Sequence, residues 1–249
     1  MITVRNHNNA LYHLCVIGAL GWVLIGISNV LAQLPSETIQ WKSSNHAGMQ
    51  AYQRGRYREA KTFFLQALGS LAASPEQDPQ RAMTLNNMGA VHERLGEYEE
   101  AEVQYRRALT IVERIQGPEH PDLVLALNNL ASLYEHQEHM HKAEPLRRRA
   151  LMILENVLGT GHPHLVPSLL TLARIMQAME QVVEAEQSYI RALRITEHAL
   201  GSDHPQLATI LDHYAQLLRQ TNREEEAHML EIQATTIRSQ QREAPPKIP

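Results

Sequence analysis

Three histidines close together are the side chains in this sequence most suited to metal chemistry. His136, His139 and His141 lie beside Glu135 and Glu138. Imidazole and carboxylate groups are ligands of zinc and copper, so a turn could gather them around one ion. The segment lacks the i, i+4 histidine pair with which a helix directs two imidazoles at one ion, and polar residues are expected where two helices join. A metal-handling protein therefore remains a less favoured alternative, and no metal site is predicted.

A second set of histidines recurs along the chain. His120, His162 and His204 are each followed by proline, and consecutive members lie 42 residues apart. Three copies spaced this far apart cannot converge on one ion, so their repetition indicates a structural role. Each precedes the predicted start of a helix, where a side chain can accept hydrogen bonds from unpaired N–H groups.

Motifs for other chemistry are missing. The sequence contains no glycine-rich phosphate loop, no HExxH and no GxSxG, and its one cysteine is Cys15. Carboxylate pairs such as Glu99 and Glu100 begin predicted helices, where the helix dipole favours negative charge. The net charge of −4 comes without clustered lysine and arginine, which argues against nucleic acid as a partner. We therefore expect a protein that is not an enzyme and needs no cofactor.

A repeat of 42 residues sets the positions of these side chains. The loops GPEHPD, GTGHPH and GSDHPQ begin at Gly117, Gly159 and Gly201. Small residues recur with the same period in the segments between the loops. One column of small residues holds Gly89, Ala131, Ala173 and Ala215, and a second holds Ala101, Ala143, Ala185 and Ala227. Internal periodicity of this length indicates stacked supersecondary units.

Each unit has the pattern of two antiparallel helices. In the third unit, apolar residues recur at helical spacing from Leu123 to Tyr134, and a second helical run extends from Ala143 to Leu154. The glycine that ends each unit suits a left-handed C-cap, and the proline after each loop histidine suits the first turn of a helix. The low aromatic content of 5% also favours helix over strand. The predicted hairpins span about residues 36–73, 81–116, 121–158, 163–200 and 205–240.

The motifs LNNLA, AEPLxRRAL and GxxHP occur together at residues 127–163. In combination they resemble the 42-residue tetratricopeptide repeats typified by kinesin light chain, and the likeness covers about residues 43–240. The resemblance implies an all-α fold, a right-handed superhelical solenoid of about five hairpins over residues 36–240. Two residues depart from the pattern. Arg147 replaces the usual aromatic residue of the third repeat, and Pro167 would kink the first helix of the fourth or delay its start.

The resemblance also implies that the first helix of each hairpin lines a concave face that binds peptides. Asparagine amides donate and accept hydrogen bonds, so a row of them can satisfy the backbone of an extended segment. Alternatively, Asn87 and Asn129, which follow Asn86 and Asn128, only form hydrogen bonds on the helix surface or between helices. The predicted peptide-binding residues are Asn45, Asn86, Asn128, Tyr52, Glu93, Glu135, Arg174 and Arg219.

The charges in this set are divided along the chain. Glu93 and Glu135 come early, whereas Arg174 and Arg219 come late. A ligand with complementary ends would suit this order, although a solvated helix face explains the charges equally well.

The first 32 residues differ in kind from the repeats. Arg5 precedes an apolar run over residues 14–27, which is shorter than the roughly 20 residues of a membrane-spanning helix. Small or compact residues before Gln33 suit cleavage by signal peptidase. We expect a signal peptide at 1–32 and a periplasmic or secreted adaptor that binds a protein or peptide partner. The alternative is a membrane-tethered assembly factor anchored by residues 14–27.

Two further segments depart from the repeats. Residues 70–79 differ from the other loops and are the predicted place of flexibility. Residues 241–249 are polar and proline-rich, which predicts a disordered tail.

Overall fold

The computed structural model describes residues 36–72 and 78–243. Within them lie ten α-helices and no strand, which confirms the all-α class. The predicted signal peptide and residues 73–77 of the predicted flexible segment fall outside the described residues. The helices are α1 Ser36–Gln53, α2 Tyr57–Ser70, α3 Pro79–Leu95, α4 Tyr98–Gln116, α5 Leu123–His136, α6 Met140–Leu158, α7 Val166–Ala178, α8 Val182–Leu200, α9 Pro205–Gln220 and α10 Glu224–Glu243.

The helices follow one another as five consecutive pairs with short turns, as the periodicity predicts. The first helix of the second pair starts at Pro79, two residues earlier than expected. The last helix continues to Glu243, so it includes the first three residues of the predicted tail. Residues 244–249 lie outside the described residues.

In each of the last four helix pairs, the turn contains one left-handed residue at an equivalent repeat position. Gly96 has φ 78°, and the residues 42, 84 and 126 positions later are Glu138, Glu180 and Asn222, with φ of 60°, 59° and 58°. A side chain with a Cβ is disfavoured in this conformation by roughly 1–2 kcal/mol, and asparagine tolerates it better than glutamate. Two hairpins therefore contain a glutamate in a backbone conformation that suits glycine.

Loop histidines cap the helices that follow them, as predicted. Nδ1 of His204 accepts a hydrogen bond from the N–H of Gln206 at 3.2 Å. Nδ1 of His162 accepts one from the N–H of His164, also at 3.2 Å. The histidine side chain replaces an intrahelical partner that the first N–H groups lack.

The prolines after these histidines do not all open an α-helix, which corrects the sequence interpretation. Pro205 begins α9, but Pro121 lies in a turn and α5 begins only at Leu123. Pro163 begins a short 3₁₀ turn, Pro163–Leu165, and Pro167 then lies in the first turn of α7. A proline in the first turn costs no intrahelical hydrogen bond. The fourth repeat therefore contains the delayed start that Pro167 predicted.

The loop glycines also differ from the expected left-handed cap. Gly159 and Gly201 have φ of 85° and 89°, but their ψ values are 152° and 163°. This region of positive φ with extended ψ is essentially restricted to glycine. Glycine is therefore required at the end of the repeat for a different conformation from the one predicted.

The chain divides into two compact units, Met1–Gln104 and Tyr105–Pro249, which we call unit 1 and unit 2. In unit 1, Phe64 is fully buried against α1, where a Cβ on Gly48 would approach its ring to 2.7 Å. Trp41 Nε1 donates to Thr84 Oγ1 at 2.8 Å, which joins α1 to α3. A small residue at Gly48 is thus required by its close contact with Phe64.

In unit 2, the small-residue columns lie at the helix contacts. Ala131, Ala173 and Ala215 are at most 1% exposed. Tyr189 is buried in a core cluster that also contains Leu169. Small residues let the helices of a pair approach closely, which is the role that the periodicity predicted.

Candidate functional site

Side chains on the first helices of unit 2 form a polar surface, which we call the first-helix face. At its α7–α9 part, the Nε2 group of Gln177 donates to Oε1 of Gln220 at 2.5 Å. This bond shows that the two first helices lie side by side. The first-helix face comprises Asn128, Ser132, Glu135, Leu170, Arg174, Gln177, Asp212, Gln216 and Arg219.

In the hairpin of α5 and α6, Arg147 holds three side chains of the face from the second helix. Its guanidinium donates to Glu135 Oε1 at 2.8 Å, to Asn128 Oδ1 at 2.8 Å and to Ser132 Oγ at 2.7 Å. The Arg147 and Glu135 side chains are only 15% and 16% exposed. Hydrogen bonds from a charged group are stronger than those between two neutral groups. Asn128 and Glu135, both predicted to bind a ligand, are thus bound within the hairpin.

In the hairpin of α7 and α8, the position equivalent to Arg147 is Tyr189. Its hydroxyl donates to Gln177 Oε1 at 3.2 Å, across the same spacing of 12 residues. Burial raises the pKa of Tyr189, so the hydroxyl keeps its proton. This contact holds one neutral amide and does not involve a charge of the face.

In the hairpin of α9 and α10, the charges are reversed relative to α5 and α6. Arg219 on the first helix binds Glu231 on the second at 2.8 Å, and also Glu224 at 2.7 Å. The guanidinium holds the pKa of Glu231 below its usual range. The carboxylate of Asp212 is likewise paired, with Arg238. The charges of the face on α9 therefore have partners of opposite sign.

Arg174 on α7 differs from the other charged residues of the first-helix face. Its side chain is exposed, and it forms no ion pair or hydrogen bond with any residue that the structure describes. It lies close enough to His213 on α9 to lower the pKa of that imidazole. Of the two arginines of the first-helix face, Arg219 is therefore paired, whereas Arg174 has no partner of opposite charge among the described residues.

His213 lies beside Arg174 with an unusual hydrogen-bonding state. Its Nδ1 atom is buried and has no hydrogen-bond partner among the described residues. Desolvation by burial is the main cause of its lowered pKa, followed by the charge of Arg174, and Asp212 opposes both. The imidazole is therefore neutral at pH 7.

In unit 1, the predicted binding residues Asn45 and Asn86 are held between or beneath helices. Asn86 is buried, with 7% of its surface exposed. Asn45 Oδ1 accepts a hydrogen bond from Asn87 Nδ2 at 3.4 Å, so this pair joins α1 to α3. Asn87 therefore forms a hydrogen bond between helices, as the alternative interpretation has it, and its partner is the predicted binding residue Asn45.

Tyr52, also predicted to bind a ligand, belongs to an aromatic cluster in unit 1. Its ring lies 5.4 Å from that of Tyr57 in an edge-to-face arrangement. Arg94 donates to the Tyr57 hydroxyl at 2.9 Å and lies over the Tyr57 ring. Burial raises the pKa of Tyr52 to about 12, so its hydroxyl is protonated at any physiological pH.

The ion pairs that bind Glu135 and Arg219 within their hairpins were not predicted from the sequence. The early acidic and late basic charges are not all unpaired in unit 2, because Glu135 and Arg219 each have an ion-pair partner within their hairpin. The replacement of the usual aromatic residue by Arg147 could have indicated the first of these pairs. Its ion-pair partner, Glu135, lies 12 positions earlier on the first helix.

The histidine cluster is spread out around the turn between α5 and α6. The rings of His139 and His141 are 6.0 Å apart, and the His139 ring lies 6.5 Å from that of Tyr134. Throughout residues 36–72 and 78–243, no three histidine, cysteine or acidic side chains are placed to hold one metal ion. Likewise, none of the described helices combines the length and the apolar composition needed to cross a membrane.

The sequence matches one family model over most of its length. The model is described as "Tetratricopeptide repeat", and it matches residues 41–114, 80–156 and 165–240. No curated protein matches the chain.

Several solved structures share the fold. One, from Podosopora anserina, contains nearly identical TPR-like repeats described as kinesin light chain. It is 22% identical with a TM-score of 0.74, and the match covers 85% of this chain and all of the other. BtubC (BKLC) from P. vanneervenii is 18% identical with a TM-score of 0.67, over 87% and 96% of the two chains. MamA 41-end from Desulfovibrio magneticus RS-1 is 13% identical with a TM-score of 0.61, over 81% and 97%. At these identities the likeness concerns the fold.

Proposed function

Because this chain belongs to the tetratricopeptide repeat family, we propose that it is a non-catalytic adaptor that binds an extended segment of a partner protein. In this proposal the bound segment lies along the first-helix face. The proposal is supported by the family, since repeats of this kind serve as interaction scaffolds.

The observation that carries the proposal is the polar surface across consecutive first helices. Arg174, Gln177 and Gln216 belong to two first helices that a side-chain bond joins at Gln177 and Gln220. Amide and guanidinium groups at regular spacing suit the carbonyl and carboxylate groups of an extended peptide. Asn128 contributes as well: because its Oδ1 accepts from Arg147, its amide N–H groups are the part that remains for a ligand carbonyl.

Photo-crosslinking tests which surface meets the partner. A photoreactive amino acid replaces Gln216 on α9 in one variant and Gln187 on α8 in a matched control, since both side chains are exposed. In an envelope extract, the Gln216 variant is expected to form covalent products with protein segments, which mass spectrometry identifies. Products from the Gln187 variant alone, or equal products from both, would contradict binding along the first-helix face.

We also propose export across a membrane with removal of residues 1–32. The apolar run at 14–27 and the compact residues before Gln33 support this. Mass spectrometry of the native protein tests it, with an N-terminus at Gln33 as the expected result. A native chain that retains residues 14–27 would contradict cleavage and favour the membrane-tethered alternative.

A further inference from the structure

A cavity of about 190 Å³ opens between the second helices α6 and α8 of unit 2. Its floor consists of the buried apolar side chains Leu169, Leu172 and Met176 of α7, and its rim belongs to α6 and α8. Among the described residues, none of those that form the first-helix face lines this cavity. We propose that the cavity is a second site, separate from the surface of the adaptor, that binds a small molecule containing a single phenol ring.

The first argument is the size and the apolar lining of the cavity. In another protein, an engineered apolar cavity of about 150 Å³ stays free of water and binds benzene. The hydroxyl hydrogen of Ser188 in the wall is already used, because Oγ donates to the backbone oxygen of Glu184 at 2.9 Å. The cavity is therefore large enough for one six-membered ring and offers that ring an apolar floor.

The second argument comes from the equivalent place one repeat earlier, between α4, α5 and α6. Tyr134 of α5 stands at the repeat position of Met176 and is 2% exposed. Its hydroxyl accepts a hydrogen bond from the guanidinium of Arg106 at 2.7 Å. The residue 42 positions after Arg106 is Arg148, which lines the cavity. The third repeat therefore places a phenol ring of its own in the space that corresponds to the cavity.

Smaller side chains account for the open space in the fourth repeat. Met176 replaces Tyr134, so the aromatic ring is missing from this position. Ser188 stands at the repeat position of Leu146 in the third repeat and of Leu230 in the fifth. Protein interiors are close-packed, so the loss of a ring and of a leucine side chain leaves room for an added group.

The fifth repeat also places a phenol ring between its helices, one turn earlier on its first helix. Tyr214 stands at the repeat position of Leu172, and its hydroxyl donates to Glu186 Oε1 at 2.8 Å. The residue equivalent to Glu186 is Glu144, which accepts a hydrogen bond from Arg148 at 2.6 Å. The rim of the cavity thus has the guanidinium and the carboxylate that bind tyrosine hydroxyls in the neighbouring repeats. These groups favour a phenol over a ring without a hydroxyl.

Titration with p-cresol, whose ring and hydroxyl are those of tyrosine, tests the site. p-Xylene is the matched ligand, because a methyl group replaces the hydroxyl at nearly the same size. NMR follows the Met176 methyl signal of the full chain, which is assigned by its absence in Met176→Tyr. p-Cresol is expected to shift this signal saturably and to bind about tenfold more tightly than p-xylene, because it adds a hydrogen bond to a charged group.

Variants that fill the cavity distinguish binding there from binding elsewhere. Met176→Tyr restores the side chain of the third repeat, and Ser188→Leu restores the leucine of both neighbouring repeats. Each is expected to abolish p-cresol binding, which the Leu172 methyl signals report. Met229→Tyr on α10, at a position that is 65% exposed, is the control and should retain binding. Circular dichroism verifies the helix content, and Ser188→Leu decides the test if Met176→Tyr does not fold.

A change at the rim tests the contact with the hydroxyl. Arg148→Gln is expected to bring the affinity for p-cresol down to that for p-xylene, because the charged donor is lost. Arg194→Gln is the control, since Arg194 is an exposed arginine of α8 that does not line the cavity. A preference for p-cresol that survives in Arg148→Gln would contradict the contact.

Other outcomes overturn the inference. The cavity is not a ligand site if p-cresol leaves the Met176 signal unchanged up to its solubility limit, or binds Ser188→Leu as tightly as wild type. Equal affinities of wild type for p-cresol and p-xylene would contradict recognition of a phenol. Tighter binding of the peptide Gly-Gly-Tyr-Gly-Gly than of p-cresol would replace the small molecule by a tyrosine of a protein segment. Crosslinking at the first-helix face tests the adaptor function independently of these results.

Discussion

The hairpin of α5 and α6 and the hairpin of α7 and α8 share one repeat but treat their polar first-helix residues differently. In α5–α6, Arg147 reaches from the second helix and binds Asn128, Ser132 and Glu135. In α7–α8, the equivalent residue Tyr189 donates to Gln177, and Arg174 has no ion-pair partner among the described residues. The second-helix residue that contacts the polar side chains of the first helix is thus charged in one hairpin and neutral in the other.

The comparison shows that the availability of the charges on the first-helix face depends also on side chains of the second helices. Glu135 and Arg174 are both charged residues of first helices, yet only the glutamate has its charge compensated within the hairpin. On the first-helix face, the charge of Glu135 in the third repeat is therefore already paired. The charge of Arg174 in the fourth repeat has no partner among the described residues. Variants of the two hairpins can separate these roles.

Removal of Arg147 is expected to have the largest effect on stability. Arg147→Ala leaves the half-buried Glu135 carboxylate without its guanidinium, which should lower the free energy of unfolding by about 2 kcal/mol. Urea denaturation measures this loss. Arg148→Ala is the control, because Arg148 is 57% exposed and pairs with Glu144 within one helix turn. Equal losses in the two variants would contradict a special role for Arg147.

Tyr189→Phe is the matched change in the other hairpin. It removes one neutral hydrogen bond to Gln177, and Gln177 keeps its bond to Gln220. The expected loss is about 1 kcal/mol, smaller than that of Arg147→Ala. Thermal denaturation of the two variants side by side would establish the order, and a larger loss for Tyr189→Phe would reverse it.

The two turns provide a pair of changes that should be equal. Glu138→Gly and Glu180→Gly place glycine in left-handed conformations with nearly the same φ. Relief of the Cβ penalty, less the greater freedom of glycine in the unfolded chain, should raise stability by about 0.5 kcal/mol in each case. Denaturant midpoints would measure both. A loss in either variant would indicate that the glutamate side chain has a stabilising contact of its own.

The smallest expected effect is a dependence of stability on pH that His213 causes. Its folded pKa lies below the unfolded value of about 6.5, so the unfolded chain binds more protons between the two values. Stability should therefore fall as pH is lowered from 7.5 to 5, and part of this fall should be missing in His213→Gln. Identical pH profiles of melting temperature would contradict the lowered pKa.

Much of the fold could be predicted because it depends on local periodicity. Gly117, Gly159 and Gly201 marked the repeat boundaries, and Pro167 indicated the delayed start of α7. The ψ values at the loop glycines and the start of α5 after Pro121 were not predicted. Both depend on how a loop closes against neighbouring helices, which residue type alone does not specify.

The sequence predicted on which helices the candidate binding residues lie, but not their hydrogen-bond partners. Asn128 and Glu135 lie on the first helix of their hairpin, yet their hydrogen bonds depend on Arg147 of the second helix. The burial of Asn86 and the bond between Asn45 and Asn87 depend likewise on how α1 and α3 pack. Such contacts join residues distant in sequence, so one sequence does not reveal them.

Methyl NMR tests most directly whether the first-helix face is where a partner binds. Leu170 is the apolar residue of the face, whereas Val183 on α8 is 62% exposed on the second helix. On addition of a partner segment identified by crosslinking at Gln216, the Leu170 methyl signals are predicted to shift while those of Val183 stay unchanged. Shifts at Val183 with Leu170 unaffected would contradict the account.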